Sequence, residues 1–88
     1  MLGVDKEGLD PMDKRILKYI LKECKGGPVG VNSLAVGVGE DAETIEEIYE
    51  PYLIQRGFMK RTSAGRVITE LTYQHFGHKP PAADKQLF

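Results

Sequence analysis

Cysteine is nearly absent: Cys24 is the only one, so no internal disulfide can form. That suits a reducing cytoplasm and excludes the cross-linked class of small secreted domains. No apolar stretch approaches the ~20 residues that carry a helix across a bilayer. Residues 1–10 are polar and mixed, without the apolar centre of a secretory leader. Catalytic constellations are missing as well. Cys24 has no base or oxyanion donors beside it in the chain, and it reads as a small apolar residue near a helix end. No acid pair and no Ser/His/Asp set stands out. His75 and His78 lack Cys or acidic companions at metal-ligand spacing, so no metal ligand is expected here. A net positive charge is missing too: the formal charge is −1, whereas nucleic-acid-binding domains are often strongly basic.

The net value hides segregation. Hydrophobic residues make 41% and charged residues 28% of an 88-residue chain, the composition of one ordinary globular domain. A chain this short buries only about 60–65% of its unfolded surface, so modest stability is expected. Residues 40–50 hold six acids (Glu40, Asp41, Glu43, Glu46, Glu47, Glu50) and no base. Residues 51–69 hold four bases (Arg56, Lys60, Arg61, Arg66) and no acid. Residues 14–25 carry Lys14, Arg15, Lys18, Lys22 and Lys25 against Glu23 alone. Different faces of the molecule are therefore expected to treat charged partners differently.

Local signals give the order of elements. Residues 1–8 read as an extended lead-in. Asp10, Pro11 and Asp13 suit the N-cap, first and third positions of a helix. Met12, Ile16, Tyr19, Ile20 and Cys24 recur at helical spacing, widened by Leu17 and Leu21, with Lys14, Lys18, Lys22 and Lys25 opposite. Gly26-Gly27-Pro28 ends that helix. Leu34, Ala35 and Val38 predict two helical turns from about Val31, weakened by Gly37 and Gly39. Ile45, Ile48, Tyr49, Tyr52 and Leu53 predict a third helix, capped by Asp41 and closed by Gly57. Pro51 inside it predicts a kink or local break. A β-hairpin follows at about 58–68, turning at Ser63-Ala64-Gly65, and then a short helix from Thr69 through Phe76, ended by Gly77. The expected fold is mostly α: a winged helix-turn-helix with a three-helix core, a β-hairpin wing and a short C-terminal helix. Its expected bounds are residues 9–77, with 1–8 leading in and a disordered tail at 78–88.

Specific strings sit on this frame. Gly26-Gly27-Pro28-Val29-Gly30, Leu34-Ala35, Gly39-Glu40-Asp41, Thr44-Ile45-Glu46-Glu47, Glu50-Pro51-Tyr52-Leu53-Ile54-Gln55-Arg56-Gly57-Phe58, Arg61-Thr62 and Gly65-Arg66-Val67 resemble the C-terminal winged-helix domain of the RuvB family. So do Leu2-Gly3-Val4-Asp5 and Gly8-Leu9-Asp10 upstream and His75-Phe76-Gly77 downstream. The resemblance implies a domain cut from a ring-forming AAA+ ATPase, with ATP and Mg bound in ATPase subdomains that this chain lacks. It implies double-stranded DNA, the arms of a Holliday junction, as the substrate. Other RuvB subunits in a hexameric ring would be partners, as would RuvA through the absent part. The implied setting is homologous recombination and DNA repair in the cytoplasm, and the helicase activity would belong to the parent. No G-x-x-x-x-G-K-S/T loop occurs in this chain, so nucleotide is expected to bind elsewhere. One position departs from the family pattern around the hairpin, which usually reads Arg-Thr-Pro-Arg-Gly-Arg: Ala64 stands where an arginine is common.

The solvent face of helix three is expected to carry Glu43, Glu46, Glu47 and Glu50. Such acids exclude major-groove reading, because carboxylates set against phosphates outweigh base contacts worth ~1–3 kcal/mol each. They form either a solvated face or a surface that docks on a basic partner, so a protein-interaction winged helix is the alternative function. The hairpin has the opposite character. Lys60, Arg61 and Arg66, with Thr62, Ser63 and the Gly65 amide, form the candidate DNA-binding set, supported from the helix end by Arg56. Alternation puts Lys60 and Thr62 on one strand face and Arg61 on the other. The expected mechanism is sequence-independent contact with the DNA backbone, in or beside the minor groove. Three or four phosphate contacts would give log K a slope of about −3 in log salt. The lysine stripe of residues 14–25 reads as a solvated face or a second contact surface.

Overall fold

The computed structural model describes residues 8–78, so the expected lead-in and tail, apart from Gly8 and His78, lie outside the described residues. Asp10 opens α1 (Pro11–Lys18) with a reciprocal capping box. Its carboxylate accepts from the Asp13 N–H at 2.9 Å, and the Asp13 carboxylate accepts from the Asp10 N–H at 3.1 Å. The helix continues through a wider turn, Tyr19–Glu23, in which the Cys24 N–H donates five residues back to Tyr19. After a loop, α2 (Val31–Val38) ends on Gly39 in the left-handed conformation. Then α3 runs through Ala42–Thr44, a second wide turn Ile45–Tyr49, and Glu50–Gln55. Asp41 occupies its N-cap position without a side-chain cap bond; instead the Glu40 carboxylate accepts from the Asp41 N–H at 2.8 Å.

The second wide turn revises the apolar stripe expected from sequence. Pro51 offers no N–H to the carbonyl of Glu47. The chain responds with bonds one residue longer, such as Glu50 N–H to the Ile45 carbonyl, rather than with a break. One extra residue in a turn sets everything downstream back by ~100°. Ile48, expected inside, is consequently 60% exposed, while Glu50, expected in solvent, is only 1% exposed. Ile45 and Leu53 remain fully buried.

The hairpin is β1 (Met59–Thr62) against β2 (Gly65–Ile68), antiparallel, pairing Met59 with Ile68, Lys60 with Val67, Arg61 with Arg66 and Thr62 with Gly65. Val29 adds a one-residue third strand on the far edge of β2. Its N–H donates to the Arg66 carbonyl at 3.0 Å, and its own carbonyl accepts from the Arg66 N–H at 2.8 Å. This close approach explains two glycines. A Cβ on Gly27 (φ +98°) would lie 2.4 Å from the Arg66 carbonyl oxygen, and one on Gly65 (φ +139°) would lie 2.7 Å from that of Val29. Gly27 and Gly65 are therefore packing requirements of the wing. Last comes α4 (Glu70–His75), with Thr69 at its N-cap turning its hydroxyl to the Gly57 carbonyl at 2.6 Å instead of capping.

Leu9, Ile16, Leu17, Ile20, Leu34, Ile45 and Leu53 form the fully buried centre, and Phe58, Met59 and Ile68 extend it beneath the hairpin. The expected winged helix-turn-helix is what forms, with its hairpin laid back along α3.

Candidate nucleic-acid interface

Strand alternation sorts the wing into two faces. Met59, Arg61, Arg66 and Ile68 share the inner face toward α3, where Met59, Arg66 and Ile68 are buried. Lys60, Thr62, Gly65 and Val67 share the outer face, with Lys60 and Thr62 exposed. Because Arg66 exchanges its N–H and C=O with Val29, Arg61 and Arg66 form a non-hydrogen-bonded pair, whose Cα atoms lie only ~4.5 Å apart. Two like charges directly opposite each other repel unless acids lie between them.

Those acids come from α3. The Arg66 Nε donates to Glu50 Oε2, its Nη2 donates to Glu50 Oε1 at 3.3 Å, and the same Nη2 donates to Glu46 Oε2 at 3.2 Å. Arg66 is 8% exposed. The hydrogen bond to Glu50 holds its guanidinium above the ordinary arginine range; burial opposes this, and the charges of Glu50 and Glu46 reinforce it. Arg61 reaches the same cluster more loosely: its Nη1 is 3.9 Å from Glu50 Oε1, and its side chain is 57% exposed.

The geometry thus divides the residues proposed from sequence. Lys60, Arg61 and Ser63 are exposed on the hairpin and can meet a phosphate. Arg66 is not presented to solvent; its guanidinium is committed to two carboxylates, and it ties the wing to α3. Thr62 uses its one hydroxyl hydrogen on the Gly65 carbonyl at 2.8 Å and accepts from the Ala64 N–H at 3.2 Å, so it builds the turn instead of donating outward. Gly65 closes the hairpin opposite Thr62, which by ladder alternation turns its amide toward the partner strand. Arg56 faces the other way. Its Nη1 donates to the Tyr52 hydroxyl at 3.1 Å, and that hydroxyl donates to the Gly8 carbonyl at 3.3 Å. Ala64 is exposed at the tip.

Elsewhere the charges are outward but partly engaged. Along α1 and the wide turn after it, Lys14, Arg15, Lys18 and Lys22 line an open groove of about 550 Å³ with Tyr19 and Val38. Arg15 donates to the Val38 carbonyl at 3.2 Å, and the Lys18 ammonium sits 5.5 Å from the Phe76 ring centroid. Burial, and secondarily the Glu23 carboxylate, push the Cys24 thiol up, the opposite of what a reactive cysteine requires. Among the described residues no three His, Cys, Asp or Glu side chains come together as a metal site, and no helix is long and apolar enough to cross a membrane.

Residues 6–77 match the family described as the RuvB C-terminal winged helix domain. The chain is 56% identical over 87 residues to the Holliday junction branch migration complex subunit RuvB of Salinibacter ruber, covering 99% of this chain and 25% of that protein. Among solved structures it is similar to the Thermotoga maritima RuvB Holliday junction branch migration motor, with 50% identity and a TM-score of 0.86 over 89% of this chain and 26% of that one. A mutant of the same Thermotoga protein matches at 51% identity and a TM-score of 0.85, over 88% of this chain and 26% of that one. The chain spans about a quarter of the length of these relatives.

Proposed function

The chain belongs to the RuvB C-terminal winged helix domain family, and on that premise we propose that it is the sequence-independent DNA-binding module of a Holliday junction branch-migration motor. The observation that carries this reading is the exposure of Lys60 and Arg61 on opposite faces of one short, open ribbon. Cations on both sides of a ribbon suit the two phosphate rows that border a minor groove ~6 Å wide. Neither contact reads a base, which is what a motor moving along any sequence requires. The acids Glu43, Glu46 and Glu47, exposed on α3, keep that helix out of the major groove.

The chemistry of the motor lies in the parts that this chain does not span. ATP and Mg would bind the ATPase subdomains of the parent. Other RuvB subunits, RuvA and the junction arms are the partners of the assembled cytoplasmic motor. Two phosphate contacts per domain give weak binding, within the ~10⁻⁴–10⁻⁶ M range of non-specific association. A ring presents several domains to one duplex, and their combined avidity compensates.

An NMR titration of the 88-residue chain with a short duplex of arbitrary sequence tests the reading. Shifts are expected at Lys60, Arg61, Ser63 and Ala64, indifferent to sequence and abolished by Lys60→Ala with Arg61→Ala. With Arg66 withdrawn, the slope of log K in log salt is expected at about −2, from ~0.9 per contact. No shift at millimolar DNA, or shifts centred on residues 43–50, would sink the reading in favour of protein docking.

Ala64 provides a gain-of-function counterpart. Placing arginine at this exposed tip should add one phosphate contact, steepening the slope by ~0.9. Affinity should rise about tenfold, the effect of one charge-assisted hydrogen bond. An Ala64→Arg variant with unchanged slope in the same titration would show that the tip does not reach the backbone.

A further inference from the structure

Glu50 is buried on a helix whose other acids, Glu43, Glu46 and Glu47, are exposed. Its carboxylate is 1% exposed, which is costly for a charge unless every oxygen is engaged. Arg66 engages both oxygens through Nε and Nη2. The remaining Nη2 capacity of Arg66 goes to Glu46. Two acids against one arginine leave this inner cluster one negative charge in excess. Arg61 is the cation that restores balance, since it is the cross-strand neighbour of Arg66 and its Nη1 lies 3.9 Å from Glu50 Oε1.

The members differ in freedom. Arg66 and Glu50 are buried and mutually bonded, so they are fixed. Glu46 has a side chain 41% exposed but keeps a 3.2 Å contact. Arg61 alone combines high exposure with a long contact. Exposed pairs at that separation contribute little binding of their own and are readily exchanged. The same contact nevertheless limits the rotamers of a long, flexible side chain and keeps its head at the inner edge of the ribbon.

We propose that Glu50 is a positioning residue for DNA binding: acting with Arg66, it holds the Arg61 guanidinium at the inner edge of the wing, ready to exchange its loose contact with Glu50 for a backbone phosphate. On exchange, Arg66 remains as the counter-charge of Glu50, so the buried carboxylate is never left unpaired. This rests on the reading of the wing as the DNA-contacting element.

A double-mutant cycle on the 88-residue chain separates positioning from mere structural support. In the otherwise unchanged chain, Arg61→Ala should weaken duplex binding about tenfold and lower the salt slope by ~0.9. In a Glu50→Gln background, whose fold is checked by its amide spectrum, the same substitution should cost clearly less, about two- to fivefold, because the modest hold on the guanidinium is gone. An equal cost in both backgrounds would overturn the proposal and leave Glu50 a structural residue. Glu46→Gln is the second background, chosen because its exposed carboxylate is safer to change should Glu50→Gln fail to fold; there the cost of Arg61→Ala should fall to an intermediate value, and an undiminished cost again overturns the proposal. Arg61 also reports without DNA: its side-chain N–H signal should exchange more slowly with water in the unchanged chain than in either variant, and no difference counts against the mechanism. Lys60→Ala keeps the two hypotheses apart. It should weaken binding in every background if the wing contacts DNA, so its failure to do so discredits the wing itself rather than Glu50.

Discussion

Replacing Arg66 by alanine is expected to destabilise the domain by about 3–5 kcal/mol, because it leaves a buried carboxylate with only the loose 3.9 Å contact to Arg61. Glu50 cannot recover water at 1% exposure, and Glu46 is a like charge. At roughly 0.05–0.15 kcal/mol per residue, an 88-residue chain has only about 4–13 kcal/mol to lose. The variant should therefore stand near the edge of folding, with a urea midpoint lower by several molar if m is about 1 kcal/mol/M. The cause can be isolated. Combining Arg66→Met with Glu50→Leu removes both charges, and it should recover more than half of the loss, since buried ion pairs replaced by apolar groups are often neutral or better. A loss under about 1 kcal/mol for Arg66→Ala, the scale of an exposed pair, would mean that solvent reaches Glu50. Arg66→Ala is thus a poor probe of DNA binding: lost affinity would report a detached wing, whereas Lys60→Ala and Arg61→Ala act on exposed side chains.

How far the chain disclosed its structure depended on whether a signal was local. The cap at Asp10 is a local signal and its position is legible in the sequence, whereas the return bond from the Asp10 N–H to the Asp13 carboxylate is not, because an acid at that position already suits the helix dipole. The hairpin was legible from Gly65 and the flanking residues, and its period of two placed Lys60 and Arg61 on opposite faces. Asp41 and Thr69 were legible as cap positions but not in their bonds: the Asp41 side chain makes no cap bond while its N–H donates to the Glu40 carboxylate, and the Thr69 hydroxyl is turned to donate to the Gly57 carbonyl. Pro51 announced a disturbed α3 without revealing how the backbone would absorb it. A wide turn changes no residue type yet resets the phase of the helix, which exchanged the fates of Ile48 and Glu50. That exchange decided the site. A free arginine and a paired one look the same in sequence, and the partner of Arg66 lies sixteen residues away on an element whose rotation the wide turn resets. Val29 was equally hidden: a single residue pairing with β2 has no periodicity to detect.

Phe58→Ala should be as damaging as the loss of Arg66, by a different route. Phe58 is the residue where α3 hands over to the wing, and its ring is 1% exposed. Its N–H donates to the Leu53 carbonyl at 2.9 Å, and its carbonyl accepts from the Thr69 N–H at 3.1 Å and from the Thr72 hydroxyl. The ring meets His75 edge-on, with centroids 5.6 Å apart and planes at 71°. The backbone is thus held from both sides and cannot collapse into the space that a missing ring leaves. Truncation of a fully buried phenylalanine with little relaxation costs about 3–5 kcal/mol. For a domain of this size each kcal/mol lowers Tm by about 4–8 °C, so a fall of at least ~12 °C is expected in a thermal melt. The cavity joins α3, the base of the hairpin and α4, so DNA binding should fade as the fold does rather than at constant stability. Val36→Ala, on a side chain 85% exposed, is the matched control and should change stability by no more than ~0.5 kcal/mol. If Phe58→Ala melts within a few degrees of that control, the hairpin is anchored by its polar contacts, Arg66 with Glu50 and Glu46 and Val29 with Arg66, and the apolar floor beneath it contributes little.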